Sequence, residues 1–219
     1  MRTKARWIWA TICLTIFVAV VLLFLFREAL LVHAGNFMAP RGTGVADVAI
    51  LEGEEGPETG AVNIGISLLS SGRVSRIVVV LHRLSKNKKQ FALEEDYPDL
   101  LKKRLKASGL SEKWFTVMVT PVHHPITLTE ATIVLGALSK EGIKNALLLS
   151  NGFHTRRSFL VYQYVGRPHA INITPVAYFN DYQPDDWWLH EEGLREFTSE
   201  LFKLVYYLVR GYIPTKLDY

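Results

Sequence analysis

Arg76-Ile77-Val78-Val79-Val80-Leu81 holds no polar residue after its first position. Isoleucine and valine are stiff at χ1 and suit a pleated surface, so this run reads as a strand. It shows no polar alternation, so both of its faces must be covered. Strands of parallel sheets, packed between helical layers, have that pattern. Ala46–Leu51 (ADVAIL) is a second such run, ended by Glu52-Gly53.

Outward from these two, strand-like and helix-like segments alternate. A helix is expected over Pro57–Ser71, stopped by Gly72, and a basic amphipathic helix over Asp96–Ser108, stopped by Gly109. Phe115–Val122 (FTVMVTPV) reads as a third strand ended by Pro121, followed by a helix over Thr127–Lys140. Asn145–Leu149 is a fourth strand, Thr155–Val165 a helix, Ile171–Val176 a fifth strand, and Glu191–Val209 the last helix. Five strand–helix units predict an α/β fold: an open, doubly wound, mainly parallel, Rossmann-like sheet. Right-handed crossovers place helices on both faces, with an expected strand order of 3-2-1-4-5. Asp181–His190 (DYQPDDWWLH) reads as an acidic, aromatic loop whose Trp187-Trp188 pair is either a contact point for a partner or packed under the last helix.

Ahead of this domain lies Trp7–Phe26, WIWATICLTIFVAVVLLFLF, without a charge. Twenty helical residues span about 30 Å, the thickness of a hydrocarbon layer. Arg2, Lys4 and Arg6 precede the run with no acid among them, so the positive-inside tendency puts the N-terminus in the cytoplasm and the domain outside. The expected organisation is therefore a cytoplasmic tip and transmembrane anchor over residues 1–33, a Gly- and Pro-bearing linker over 34–45, and the α/β domain over 46–219. The competing reading is a cleaved signal peptide, with Val32-His33-Ala34 as a small-x-small site. Retention of the anchor places the protein, single-pass, in a bacterial cytoplasmic membrane with its domain on the outer face.

The net charge of +4 owes much to basic residues around the anchor, which suits membrane orientation and not nucleic-acid binding. The one cysteine, Cys13, lies in the apolar run, so no internal disulfide and no cysteine-based zinc site is available. No glycine signature for a dinucleotide or nucleoside triphosphate and no nucleophile elbow occurs, and no cofactor is expected. His123 and His124 are adjacent on an extended segment, where neighbours point opposite ways, so a metal is not expected either.

In sheets of this type ligands bind outside the carboxyl ends of the strands. The loops there begin at Glu52-Gly53, His82-Arg83, His123 and Ser150. The most informative stretch is Ser150-Asn151-Gly152-Phe153-His154-Thr155-Arg156-Arg157, which leaves a buried strand and enters a helix. Free amides at a helix start attract an anion. His154 and Arg157, three apart, share one side of the first turn. An arginine there is unfavourable unless something negative accompanies it. A phosphate or carboxylate ligand would supply that charge; so would the protein's own acids. Thr127 and Glu130 stand at capping-box spacing, and Glu130 is also placed to orient Arg157 or to move a proton.

These residues resemble a family. Thr127, Glu130 and Ala131, then Asn145–Ser150, then His154 and Arg157, are similar to the bacterial SanA/ElyC/YdcF-like pattern: a Thr-x-x-Glu-Ala helix, a strand ending in a small polar residue, and a His-x-x-Arg helix start. Where the family has a glycine-rich turn after its first strand, this chain has Glu52-Gly53-Glu54-Glu55. The resemblance implies a Rossmann-like sheet and, for tethered members, a part in envelope biogenesis and maintenance, including peptidoglycan or polysaccharide assembly. The candidate ligand-binding residues are Gly53, Thr127, Ser150, Asn151, His154 and Arg157, with Glu130 and His154 as candidate acid/base groups. The expected partners are the membrane and an anionic small molecule or lipid-linked precursor. The alternative is a non-catalytic module that binds other envelope proteins.

Overall fold

The computed structural model describes residues 2–52, 59–82 and 97–214. Its core is a five-stranded, all-parallel sheet in the order β3-β2-β1-β4-β5. The strands are β1 (Val48–Leu51), β2 (Arg76–His82), β3 (Phe115–Thr120), β4 (Asn145–Asn151) and β5 (Asn172–Tyr178). Both the class and the order match the expectation from apolar runs. β1 is buried at all four positions and β2 at its five central ones.

Successive side chains of a strand point to opposite faces, and here they divide into two cores. Ala49, Leu51, Ile77, Val79 and Leu147 pack with Ala61 and Leu68 of α3 (Thr59–Ser70) and Leu101 and Leu105 of α4 (Tyr97–Ala107). Val48, Ile50, Val78, Val80 and Leu148 pack on the other face. Their partners there include Val134 and Leu138 of α5 (Ile126–Lys140) and Val161 and Tyr162 of α6 (His154–Gly166). Leu204 and Tyr207 of α7 (Glu191–Val209) close this second core. The chain leaves α5 through Gly142, whose φ of +80° is strained for any residue with a Cβ.

Two helices precede the sheet, α1 (Arg2–Leu25) and α2 (Arg27–Met38). From Thr11 to Leu30 every side chain is exposed, so most of α1 covers nothing in the protein. Among the described residues no single helix is long and apolar enough to cross a membrane by itself; Thr11–Leu25 and Arg27–Met38 qualify together, as a pair bent by 67°. Ala34–Met38, expected as linker, form the end of α2. That helix is docked on the domain. Trp187 Nε1 donates to the Leu31 carbonyl at 3.1 Å, Arg156 Nε donates to the Phe37 carbonyl at 2.7 Å, and Met38 is buried. A Cβ on Gly35 would collide with the Pro184 carbonyl, so the helix can approach this closely only at a glycine.

Candidate functional site

The strand order reverses at β1, which has β2 on one side and β4 on the other. Beyond the carboxyl ends of β1 and β4 the described residues hold a buried charged network. Glu52 follows β1 directly and is buried. Ser150 at the end of β4 and Ser158 on α6 both donate hydroxyl hydrogen bonds to its two oxygens.

The turn from β4 into α6 is fixed from several directions. Gly152 takes φ +49°, and its amide donates to the Tyr178 carbonyl at 2.8 Å. Thr155 Oγ1 donates to the Ser150 and Gly152 carbonyls at 3.1 and 2.8 Å. Phe153 is fully buried in an aromatic cluster with Phe179, Tyr182, Trp187 and Phe197. Trp187, one candidate contact point for a partner, is therefore core: it stacks on Phe197 at 3.9 Å and is 4% exposed.

The turn presents His154 and Arg157 side by side, Nδ1 to Nη2 at 2.9 Å. The negative partner that Arg157 requires is internal. Glu200 of α7 accepts from Nε at 2.8 Å and from Nη2 at 3.2 Å. Nη1 donates to Thr127 Oγ1 at 2.7 Å, and the guanidinium lies over the Tyr207 ring. Thr127 thus serves Arg157 and does not cap α5, whose N-cap position is held by Pro125. Glu130 does not orient Arg157. It accepts from Tyr162 Oη at 2.6 Å and pairs with His82 Nε2 at 2.6 Å, tying the second strand to α5 and α6. The start of α6 is also occupied from within: the Phe153 amide donates to Glu196 Oε1 at 3.0 Å, and Tyr182 donates to the same carboxylate. Glu196 and Glu200, one turn apart on α7, thus sit where an external anion was expected.

The electrostatics follow from this packing. Burial pushes the Glu52 carboxyl upward against the opposing His154 charge and the two serine bonds. Burial also raises Glu200, but the bonds and charges of His154 and Arg157 outweigh it and hold that carboxyl far below its usual range. For His154, burial and Arg157 favour the neutral ring; the Glu200 bond and the Glu52 charge oppose them, and the net direction is upward. A guanidinium only donates, so the neutral ring accepts from Arg157 at Nδ1 and carries its hydrogen on Nε2. Nε2 lies 3.8 Å from Glu52, and Nδ1 lies 3.5 Å from Glu200. Protonation must therefore swap the partner of Nδ1 from Arg157 to Glu200. Burial and the Glu130 charge raise the Tyr162 phenol well above its ordinary value, so it stays a donor.

Exposure separates the members. The His154 side chain is 21% exposed, against 6–7% for Glu52, Arg157 and Glu200. His154 is thus the member of this set best placed to meet anything from outside. The structure brings together five of the expected residues: Thr127, Glu130, Ser150, His154 and Arg157. Asn151 ends β4 beside them. Gly53 lies outside the described residues, as does Arg83. Glu52 was expected only as the start of a loop at this end of the sheet, and Ser158, Tyr162 and Glu200 were not anticipated. Glu52 alone carried a signal, being the first acid after a buried strand. His123 and His124 are exposed, and among the described residues no group of three or more potential ligands is placed to hold a metal.

No family model matches the chain, and no curated protein matches it.

Proposed function

We propose that this chain is a membrane-tethered, envelope-facing protein, a divergent relative of the SanA/ElyC/YdcF-like family, whose β1/β4 end binds a phosphate-bearing ligand and exchanges a proton with it through His154. The observation that carries the reading is the His154 imidazole, 21% exposed between the buried carboxylates of Glu52 and Glu200 at the sheet's switch point. Buried acids and bases with opposed shifts are a hallmark of proton-transfer sites. Glu52, raised by burial, and Glu200, lowered by its cationic neighbours, flank this ring on two sides.

Within this reading Arg157 positions and does not bind. Its fork is filled by Glu200, Thr127 and His154, so it sets the ring's orientation and opposes its charging. Glu130 positions His82 and Tyr162 in the same way. The tether is supported by the uncharged run Trp7–Phe26 and by side chains exposed along α1. A domain held at a bilayer meets membrane-borne ligands at a high effective concentration, which favours a lipid-linked phosphate.

The test is calorimetry on the full chain in nanodiscs, with inorganic phosphate and a polyprenyl phosphate as probes. His154→Ala should weaken binding by about 10- to 100-fold, the value of one hydrogen bond to a charged group. Equal binding by wild type and variant would refute the assignment. A second reading is favoured by one observation: α7 already satisfies both Arg157 and the α6 amide. If the wild type binds neither probe, the domain is better read as a non-catalytic module of an envelope complex.

A further inference from the structure

Helix α7 turns one face inward and carries a second, apolar face. Leu204 and Tyr207 line the one turned into the core. The other is bare: Leu194, Leu201, Phe202, Val205 and Val209 are all exposed, Phe202 by 72% and Val209 by 80%. At 100° per residue these five fall on one stripe, while Ser199 and Lys203 lie on a different flank. Single exposed apolar side chains are ordinary; a stripe spanning sixteen residues, Leu194 to Val209, marks an interaction surface.

We infer that this stripe rests on the lipid headgroup–acyl boundary, so that α7 is an interfacial helix beside the anchor. The inference depends on the tethered reading above and adds an orientation to it. The bend between α1 and α2 is 67°. With the uncharged run Trp7–Phe26 taken as the span, as the tethered reading has it, and set along the bilayer normal, α2 lies 67° from that normal. It therefore runs nearly along the surface. Its bonds through Leu31 and Phe37 bind it to the domain. α2 packs against both α6 and α7, which brings α7 within one interhelical distance, about 8–10 Å, of a helix lying on the bilayer. Leu30 on α2 and Leu189 just before α7 are further exposed apolar side chains on these two elements. Tyr206, 53% exposed, and Arg210, set over the Tyr212 ring, supply the aromatic and basic side chains typical of the interface. A second copy of the chain, or a protein partner, would cover the stripe without requiring it to lie alongside the anchor.

The test uses the full chain carrying Cys13→Ser, reconstituted in nanodiscs of phosphatidylethanolamine and phosphatidylglycerol. Nitroxides are attached at Val205→Cys, Val209→Cys, Ser199→Cys and, in the anchor, Val18→Cys. Relaxation by oxygen against a water-soluble nickel chelate reports the surroundings of each label. The ratio at positions 205 and 209 is expected to be several-fold above that at 199 and to approach that at 18. Water-like values at 205 and 209 with a lipid-like value at 18 overturn the inference and leave the tether standing. Water-like values at all four overturn both. Dipolar broadening at 205 that disappears on dilution with unlabelled protein assigns the stripe to a second copy and also overturns the inference.

Discussion

Replacing Glu200 by glutamine tests the network at its most connected carboxylate. Glu200 takes two bonds from Arg157, at 2.8 and 3.2 Å, and one from Lys203 at 2.8 Å, and lies 3.5 Å from His154. Its side chain and that of Arg157 are each 6% exposed. Breaking a buried ion pair from one side costs about 3–5 kcal/mol, because the remaining charge is left buried and uncompensated. Glutamine retains one acceptor oxygen, which places Glu200→Gln near the lower end, about 3 kcal/mol. The pH dependence follows from the two shifts. A carboxyl depressed by folding contributes stability present above its unfolded pKa of about 4.3 and lost as pH falls below it. A histidine raised by folding contributes stability that is full below its unfolded pKa of about 6.5 and lost as pH rises through the folded value. Both contributions depend on Glu200. The difference between wild type and Glu200→Gln should therefore be largest between about pH 4.5 and 6.5 and shrink on either side. Guanidinium unfolding of the full chain in mild detergent, followed across that range, measures it. A difference under about 1 kcal/mol, or one that does not change with pH, would show that the pair does not hold α7 to α6 in solution.

Three further outcomes are expected. Glu52→Gln removes a carboxyl whose ionisation burial opposes, so its stability relative to wild type should rise as pH climbs above about 4.3 and then level off; thermal melts across pH check this, and a fall instead would refute burial as the dominant cause. Tyr162→Phe leaves the buried Glu130 one donor short and should lower stability by about 1–3 kcal/mol in chemical denaturation. Gly35→Ala forces a Cβ onto the Pro184 carbonyl and should undock α2, read as faster proteolysis between residues 38 and 46 and altered Trp187 fluorescence with the sheet intact; unchanged cleavage would refute the docked arrangement.

The sheet was legible because its cause is local. Runs such as Arg76–Leu81 and Ala46–Leu51 carry their burial in composition, and alternation with helices leaves few topologies once right-handed crossovers are required. His154 and Arg157 were legible as neighbours because three residues in a helical turn fix their separation, and the need of Arg157 for a negative partner was legible from charge alone. The identity of that partner was not. Glu200 lies 43 residues away, and only the packing of α7 over α6 brings it to the guanidinium. The same holds for Glu130, where local spacing pointed to a cap and to Arg157, while tertiary packing supplied His82 and Tyr162. The end of α2, Ala34–Met38, looked like linker because glycine at position 35 weakens a helix locally; the contact that repays it is with Pro184, far along the chain. The sequence alone thus determined elements, their order and the charge demand at one turn, because bonded geometry and patterning decide those. Which carboxylate met that demand, and which histidine stayed open to the outside, depended on residues distant in the chain, and only their convergence in three dimensions decided it.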